Sequence, residues 1–406
     1  MGLACRTSVE ELELKKDLPV PRSSFQGQPE RLRIFMLVQH TDIRGPLPKL
    51  TSHLVGALRS LGCTVETHPW GRQREGESLL EKTAQRFRDL LSVRRALSGK
   101  EFDVAVVQTS HDWRTLIRDI AVARLLRSHR RPTILQVHGS ASRLAEPGNR
   151  TFKFATAALL ALVDGIMVLS TEEQRQLEAF RDRPPVFTVK NPYVRFHPAG
   201  SPGAADGEAA ESARLLFVGR LIEEKGILDL VDALPLVLQH AQCKLDIVGE
   251  GELEDRLIDR IRRLGIEEHV KRTGYLSGAD LEREYQRAAI FVLPSWAEGF
   301  PTVLAEAMDA GLAIVTTSIR GAADHLVEGE NALFVDPGDV RGLAASITTL
   351  LGDADLRARM GAANQERVQI FAPDLVVAEY LQILQSVVTH EDENAGVGPV
   401  AKPAPD

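Results

Sequence analysis

The sequence contains little cysteine, and its cysteines form no recognisable pattern. Cys5, Cys63 and Cys243 are far apart, odd in number and without the spacing of metal ligands. This excludes a disulfide framework and indicates a reducing compartment. The chain has 406 residues, of which 44% are hydrophobic and 26% are charged. That is enough apolar material for two domains with substantial cores.

Targeting segments and long apolar runs are also absent. The amino-terminal stretch MGLACRTSVEELELKK lacks the apolar core of a secretory signal. Arg6 stands where a myristoylation motif has Ser or Thr. The longest apolar run, residues 154–163, is far below the roughly 20 residues that a membrane span needs, so a buried helix is expected there. These features predict a cytoplasmic protein.

Charge is distributed unevenly along the chain, whose net charge is −7. Residues 29–195 contain 27 Lys and Arg against 17 Asp and Glu, whereas residues 196–406 contain 18 against 35. The basic half is therefore expected to face an anionic partner. Nucleic acid is not expected among the partners.

Short apolar runs alternate with segments of helical period. The runs occupy 33–38, 103–108, 133–138, 165–170 and 186–190 in the first half, and 214–219, 244–249, 289–295, 312–317 and 332–335 in the second. Their hydrophobicity is continuous, which is typical of parallel strands covered on both faces. The sequence predicts two tandem doubly wound, Rossmann-like α/β domains that face each other across a cleft. Ligands would bind beyond the carboxyl ends of the strands.

The domain boundary is predicted at residues 198–212, which contain no apolar side chain larger than Ala. This linker separates an amino-terminal domain at 29–197 from a carboxyl-terminal domain at 213–390, whose last helix could pack back on the first domain. The segments 1–28 and 391–406 are predicted to be disordered tails.

Two helices are predicted in the second half from their residue spacing. Residues 227–241 carry leucine and valine at helical intervals, and residues 280–289 begin at Asp280, which we interpret as a helix cap. The intervening "GEG" at 249–251 lacks the third glycine of a dinucleotide fingerprint, since Glu254 occupies that position. We interpret it as a tight turn.

Two cations follow the strand predicted at 214–219. Arg220 and Lys225 lie five residues apart on a strand-to-helix connection, where both could point into the cleft and bind a diphosphate. A solvated charged loop is the alternative interpretation of this segment.

The stretch "WAEGFPTVLAEAM" follows the strand predicted at 289–295. Pro301 suits the first position of a helix that starts near Phe300 and ends at Gly311. The amide groups at that helix start form an anion site. Glu306, inside the helix, can accept hydrogen bonds from a vicinal diol such as a ribose, and Glu298 precedes the helix and reaches another part of the ligand.

These segments resemble the carboxyl-terminal domain of the retaining family-4 glycosyltransferases with the GT-B fold. The resemblance rests on "FVGRLIEEKG", "VGEGELEDRL", the segment from "TGYLSGAD" to "GLAIVTT", and "EGENALFVDPGD". The glutamate-x7-glutamate motif of the family matches Glu298 and Glu306. The resemblance is strong over 212–370 and mainly architectural over 31–195.

The resemblance implies roles for these side chains. Residues matching Arg220 and Lys225 bind the nucleotide diphosphate, the one matching Glu306 binds the ribose hydroxyls, and the one matching Glu298 contacts the transferred sugar. A family histidine at the position of His138 lines the pocket for donor sugar and acceptor; a histidine hydrogen-bonded inside the domain is the alternative. The family needs no metal.

Backbone and small residues complete the predicted site. The resemblance implies that the amides from Gly299 through Phe300 to Pro301 contribute to phosphate and sugar binding, and we add Gly219 and Thr302 to the substrate-binding set. The first βα loop, 39–50, usually carries a glycine pair near the phosphates, but here only Gly45 is a candidate.

Two further features of the carboxyl-terminal half have alternative interpretations. Arg320 and Asp324 stand where the family more often has Gly and Glu, which would reshape the sugar pocket or its rim. The Asp-x-Asp at 353–355 could suggest a metal site, but capping of a helix is the preferred interpretation.

The segment 79–100 is amphipathic, with Leu80, Ala84, Phe87 and Leu91 forming one stripe. We interpret it as a helix packed on its sheet with a solvated basic face. The alternative is docking on anionic lipid at the inner face of the membrane, together with the arginines at 124, 127, 130 and 131.

The sequence thus predicts a metal-independent, retaining hexosyltransferase that uses a nucleotide-sugar donor, with a UDP-sugar favoured, and no cofactor. Its acceptor would be a lipid-linked or other glycan, as in surface polysaccharide or glycolipid synthesis. The alternatives are a nucleotide-sugar epimerase of the same fold and a non-catalytic nucleotide-sugar binding protein. A glycosidase would leave the two cations without a role, and the missing glycine fingerprint disfavours a nicotinamide-dependent oxidoreductase.

Overall fold

The chain folds into two parallel six-stranded sheets. The computed structural model describes residues 31–39, 46–70, 79–138, 149–194, 213–296, 298 and 300–396. The predicted linker, the tail 1–28, Gly45 and Gly299 therefore lie outside the described residues. Two doubly wound domains were predicted, and the two sheets confirm this fold class.

The first sheet has the strand order β2-β1-β3-β4-β5-β6. Its strands are β1 Arg33–Val38, β2 Thr64–Pro69, β3 Val104–Thr109, β4 Thr133–Val137, β5 Gly165–Val168 and β6 Val186–Thr188. The helices of this half are α1 Pro46–Ser60, α2 Leu79–Leu97, α3 Trp113–Arg127, α4 Arg150–Leu160 and α5 Thr171–Glu178. Strands β3, β4 and β5 are buried at every position, because helices cover both faces of the sheet.

The second sheet has the order β12-β11-β10-β7-β8-β9. Its strands are β7 Ala213–Val218, β8 Cys243–Val248, β9 Val270–Gly274, β10 Ile290–Leu293, β11 Ala313–Thr317 and β12 Ala332–Val335. Its helices are α6 Ile227–Leu238, α7 Glu254–Leu264, α8 Ala279–Arg287, α9 Thr302–Asp309, α10 Arg320–His325, α11 Val340–Gly352 and α12 Ala354–Arg367, followed by α13 Pro373–Gly396.

The last helix, α13, packs on the amino-terminal sheet. Val377, Tyr380 and Leu384 join the buried cluster on the face that α1 also covers, and the Tyr380 hydroxyl donates to Gln136 Oε1 in β4 at 3.1 Å. The helix continues through Gly396, so the predicted disordered tail from 391 is helical over its first six residues. Among the described residues, no single helix is long and apolar enough to cross a bilayer.

The structure contradicts one predicted helix cap and confirms another. Asp280 lies inside the first turn of α8, whose N-cap is Gly278, so its predicted role as a cap is wrong. Asp353 does cap α12, where its Oδ1 accepts from the Leu356 amide at 2.8 Å. The capping interpretation of the Asp-x-Asp is therefore confirmed.

Candidate functional site

The carboxyl-terminal sheet reverses its strand order between β7 and β10. The chain enters at β7, adds β8 and β9 on one side, and then returns to add β10, β11 and β12 on the other. Ligands of open parallel sheets bind at this switch point, beyond the carboxyl ends of the two central strands. Arg220 follows β7 and Glu298 follows β10, so the topology brings the two predicted segments to one crevice.

Glycines let the loops at this edge pack backbone against backbone. Gly226 has a φ of 65°, and a Cβ there would lie 2.0 Å from the Pro294 carbonyl oxygen. Gly249 has a φ of 142°, and a Cβ would lie 1.9 Å from the Gly219 carbonyl oxygen. The "GEG" segment thus serves as a close-packed turn behind the crevice, as interpreted from the sequence.

Arg220 and Lys225 lie close together in this crevice. Burial and the charge of the Arg220 guanidinium lower the pKa of Lys225 to about 8, while the Glu224 carboxylate opposes this shift. The Lys225 side chain is 15% exposed. Arg220 is exposed and forms no ion pair with any residue that the structure describes. One cation is therefore held in the wall of the crevice, and the other is available to an anion.

Glu298 forms an ion pair with Lys225. The carboxylate Oε1 meets the Lys225 Nζ, and both side chains are 15% exposed. The opposite charges of this largely buried pair offset part of the cost of removing both groups from water. Glu298 was predicted to contact the sugar and Lys225 the diphosphate; the structure shows that the two groups are direct neighbours.

Trp296 anchors the loop that carries Glu298. Its backbone amide donates to the Glu224 carbonyl oxygen at 2.8 Å, and its indole Nε1 donates to Asp229 Oδ2 at 2.8 Å. Asp229 lies in the first turn of α6, directly after the turn that contains Lys225. These two hydrogen bonds connect the loop after β10 to the loop after β7 and to the start of α6.

Helix α9 begins at Thr302, and Pro301 is its N-cap rather than its first residue. The Phe300 side chain is buried and stacks on Phe371 with the ring centroids 4.7 Å apart. Its predicted contact with substrate can therefore involve only the backbone, because the ring belongs to the core. The side chain of Thr302 is half-buried at the helix start.

Glu306 lies in the second turn of α9 and receives a hydrogen bond from Tyr285 of α8. The Tyr285 hydroxyl lies 2.7 Å from Glu306 Oε2, and its ring is almost fully buried beside Phe291. Burial and the nearby Glu306 carboxylate raise the pKa of Tyr285 well above its usual value, so the phenol remains a donor. The sequence did not identify this partner, since it is 21 residues away and carries no motif.

Two histidines lie at the ends of neighbouring strands in the amino-terminal sheet. His138 follows β4, and its backbone amide donates to the Thr109 carbonyl oxygen at 2.8 Å. His111 follows β3 with a φ of 49° and places Nε2 3.2 Å from Thr156 Oγ1. Burial lowers the pKa of each to about 4, so both rings are neutral near pH 7.

Each of these rings has one buried nitrogen, His138 Nε2 and His111 Nδ1, without a hydrogen-bond partner among the described residues. Buried polar atoms are usually paired, and an unpaired one at a strand end is consistent with a ligand or water position. His138 was predicted from the sequence, whereas His111 was not. The sequence signal that could have indicated His111 is the polar cluster "SHDW", which follows a predicted strand.

Asp324 and Arg320 connect the two domains. Asp324 Oδ2 accepts from the Thr171 amide at 2.8 Å at the start of α5, and Oδ1 accepts from the Thr171 hydroxyl. Arg320 Nη1 lies 3.8 Å from Oε1 of Glu173, which is fully buried. Both residues thus bind the first turn of α5, and their effect on the sugar pocket or its rim stays a prediction.

This contact also orients the two sheets. Helix α5 follows β5 and α10 follows β11, so each starts at the carboxyl edge of its own sheet. Since α5 and α10 meet through Thr171 and Asp324, the two carboxyl edges face each other. The crevice with Arg220, Lys225 and Glu298 and the strand ends with His111 and His138 thus lie on facing edges.

Comparison with known proteins identifies both halves. The model "Glycosyl transferases group 1" matches residues 204–367, and the model "Glycosyl transferase 4-like domain" matches residues 40–192. Glycogen synthase of Mycobacterium tuberculosis is 36% identical over 168 residues, which is 41% of this chain and 41% of that protein. The matched part thus spans about two fifths of such a curated relative.

Solved structures share the fold over most of the chain. Sucrose-phosphate synthase from Thermosynechococcus elongatus superposes with a TM-score of 0.72 at 19% identity, covering 89% of this chain and 100% of that one. Anabaena HepE in complex with UDP-glucose superposes with a TM-score of 0.66 at 19% identity, with the same coverages. The two family models together span both domains, and the chain belongs to the family-4 glycosyltransferases with the GT-B fold.

Proposed function

We propose that the protein transfers a hexosyl group from a nucleoside-diphosphate sugar to an acceptor hydroxyl, with retention of the anomeric configuration. The observation that carries this proposal is the cluster of Arg220, Lys225 and Glu298 at the switch point of the carboxyl-terminal sheet. The cluster offers two cations to a diphosphate and a carboxylate beside them to sugar hydroxyls. A UDP-sugar is the favoured donor, which the UDP-glucose bound to the structurally similar HepE supports.

The reaction requires stabilisation of negative charge on the leaving group. As the bond between the sugar and the diphosphate breaks, charge develops on the phosphate oxygens while the sugar becomes oxocarbenium-like. The exposed guanidinium of Arg220 and the ammonium of Lys225 are positioned to compensate that charge, together with the amides at the start of α9. The departing phosphate could accept the acceptor proton, so no protein base is assigned.

Glu298 and Glu306 have separate roles in this proposal. Glu298 pairs with Lys225, and on donor binding its carboxylate would turn to the sugar as the diphosphate takes over Lys225. Glu306, oriented by Tyr285, would bind the ribose diol. His138 and the amino-terminal domain would position the donor sugar and the acceptor, and the facing edges would exclude water from the reacting atoms.

The proposed acceptor is an anionic or lipid-linked glycan, because residues 29–195 carry ten more cationic than anionic side chains. The proposed setting is the cytoplasm, with peripheral contact at the inner face of the membrane. No metal or cofactor is assigned to the reaction.

A thermal-shift screen of nucleotide sugars tests the proposal. At a hundredfold excess over Kd, the correct donor stabilises the folded chain by about 2.7 kcal/mol. We expect Glu306→Ala to abolish the shift caused by the free nucleoside diphosphate, and Glu298→Ala to retain that shift but to lose discrimination among sugars. The exposed Glu330→Ala is the matched control and should behave like the unmodified chain.

Three results would contradict the assignment. If Glu298→Ala and Glu306→Ala changed the shifts in the same way, the separate roles would be wrong. If the donor bound but none of many glycans and lipids caused release of nucleoside diphosphate, the protein would be a nucleotide-sugar binding protein. If the sugar changed its configuration without any acceptor, the protein would be an epimerase.

A further inference from the structure

Three neighbouring helices on one face of the amino-terminal sheet expose large apolar side chains. Leu91 of α2 is 51% exposed, Ile117 of α3 is 63% exposed and Phe154 of α4 is 78% exposed. The buried sides of the same helices form one core cluster on the sheet, which includes Val93, Leu126 and Leu159. A single exposed hydrophobic residue is common, but three on adjoining helices mark an interaction surface.

This exposure differs from the sequence-based expectation. The stripe predicted to pack on the sheet included Leu91, yet α2 buries Val93 and Leu97 while Leu91 faces outward. Residues 154–163 were expected to form a buried helix, and α4 does bury Leu159 and Leu160, but Phe154 at the beginning of that run is exposed.

Arginines lie on the same helix faces as these apolar side chains. Arg88 and Arg95 are three and four residues from Leu91, Arg124 is seven residues from Ile117, and Arg150 is four residues from Phe154. Residues at these spacings share one face of a helix. All four arginines are exposed. Each helix therefore presents one exposed apolar side chain, called an apolar tip below, and at least one arginine on the same face.

Among the described side chains of α2, α3 and α4, no carboxylate is exposed. The acids among them, Asp89 and Asp119, are both buried, and Asp119 pairs with Arg118 at 2.9 Å. Arg94, Arg127 and Lys153 add further exposed positive charge. The Arg127 Nη1 donates to the Ala161 carbonyl oxygen just beyond α4, which joins α3 to its neighbour.

We propose that this three-helix surface, formed by Leu91, Ile117 and Phe154 with Arg88, Arg95, Arg124 and Arg150, docks on an anionic lipid bilayer. A bilayer offers negative head groups to the arginines and an apolar interior to the three tips, and the two contributions together give stable peripheral binding. A nucleic acid would use the arginines but would leave the aliphatic side chains of Leu91 and Ile117 without an apolar partner. A second copy of the same surface would place like charges against each other.

The docking would also affect the reaction. Ile117 and Phe154 lie about one turn from the starts of α3 and α4, which begin at the cleft-facing carboxyl edge of the sheet. Docking there would bring the mouth of the cleft near the bilayer, where a lipid-linked acceptor is held. This last step rests on the proposed transferase function; the docking itself does not.

Vesicle co-sedimentation of the full chain tests the docking without any activity measurement. We expect the chain to sediment with vesicles of phosphatidylcholine containing about 30% phosphatidylglycerol, at low salt, and to remain in solution with pure phosphatidylcholine. Ile117→Ser with Phe154→Ser should lower the partition coefficient about tenfold. Arg124→Glu with Arg150→Glu should lower it at least as much and weaken its dependence on salt.

The matched control carries Leu375→Ser and Arg262→Glu, which change an exposed apolar side chain and an exposed arginine on other helices. It should sediment like the unmodified chain. Equal binding to neutral vesicles, no binding to anionic ones, or equal loss in the control would overturn the proposal. So would a change of oligomeric state in the surface variants by size-exclusion chromatography, since that would assign the surface to a second copy of the chain.

Discussion

The carboxyl edge of the carboxyl-terminal sheet carries charged side chains, whereas that of the amino-terminal sheet carries neutral imidazoles. In the former, Arg220, Lys225 and Glu298 are close enough to influence one another. In the latter, burial keeps His111 and His138 uncharged, and the excess positive charge lies on the outer helices. Two sheets of similar architecture thus present side chains of different chemistry at their carboxyl edges. In the proposed function, the charged edge binds the diphosphate and the uncharged edge binds neutral hydroxyls.

Removing a cation from the charged edge is expected to have the largest effect. Arg220→Ala and Lys225→Ala should each lower kcat/KM by about 10²–10³, or roughly 3–4 kcal/mol, because each stabilises charge that appears mainly in the transition state. Steady-state kinetics with the donor identified by thermal shift gives the measurement. The exposed Arg262→Ala on α7 is the control. If all three variants had the same small effect, the diphosphate would not bind at Arg220 and Lys225, and the proposed difference between the two edges would be wrong.

Acidification is expected to act through the buried imidazoles. Folding keeps His111, His138 and His325 neutral with a pKa of about 4, while the unfolded chain protonates them near 6.5. Between these values the unfolded state binds more protons, so stability is present above pH 6.5 and is lost as the pH falls towards 4. Each ring contributes about 3 kcal/mol to that loss.

The melting temperature at pH 7 and at pH 4.5 checks this prediction. A chain with His325→Phe, which retains an aromatic ring between Phe300 and Phe371, should lose less stability on acidification than the unmodified chain. His240→Gln changes an exposed histidine and should leave the loss unaltered. If His325→Phe had the same pH dependence as the unmodified chain, burial of that ring would not be the cause.

The contact of Asp324 with Thr171 joins the two domains and so couples their carboxyl edges. Asp324→Ala should destabilise the chain by about 1–2 kcal/mol, since the Thr171 amide and hydroxyl lose a charged acceptor. Thr171→Ala should have a smaller effect, and the double variant should fall short of the sum. Melting temperatures of the four proteins complete the cycle. Additive shifts would show that the two side chains do not interact in solution.

The smallest expected effect concerns the orientation of Glu306. Tyr285→Phe removes the hydroxyl that lies 2.7 Å from its carboxylate and should weaken nucleotide binding about fivefold, or roughly 1 kcal/mol. Tyr193→Phe is a close control, because the Tyr193 hydroxyl lies 3.2 Å from Asp309 on the same helix. Isothermal titration with the nucleoside diphosphate measures both. Equal losses would assign the effect to the packing of α9 rather than to Glu306.

The interior strands of each sheet could be predicted because both of their faces are buried. Strands β3 to β5 and β10 to β11 were predicted because their apolar runs are continuous. The edge strands β2 and β9 were missed: "TVETHP" and "VKRTG" are largely polar, since an edge strand needs no double cover. The carboxyl-terminal motif also predicted where Arg220, Lys225, Glu298 and Glu306 lie, because a strand end and a helix start position them locally.

Partners distant in sequence could not be predicted in this way. The sequence contained nothing to pair Tyr285 with Glu306 or Thr171 with Asp324, which is 153 residues away. The amphipathic stripe on α2 was assigned to the wrong face at Leu91, because Leu90, Val93 and Leu97 form a second apolar stripe at helical spacing and it is this one that packs on the core. Only the packing of α2 beside α3 distinguished them.

The amino-acid sequence by itself determined the two parallel-sheet domains and the loops that carry the charged site, because hydrophobic period and glycine placement act over short distances. The tertiary structure alone decided that Lys225 pairs with Glu298, that α10 holds the first turn of α5, and that three apolar tips face outward among arginines. These features depend on which surfaces meet across the sheets, and that information is distributed over the whole chain.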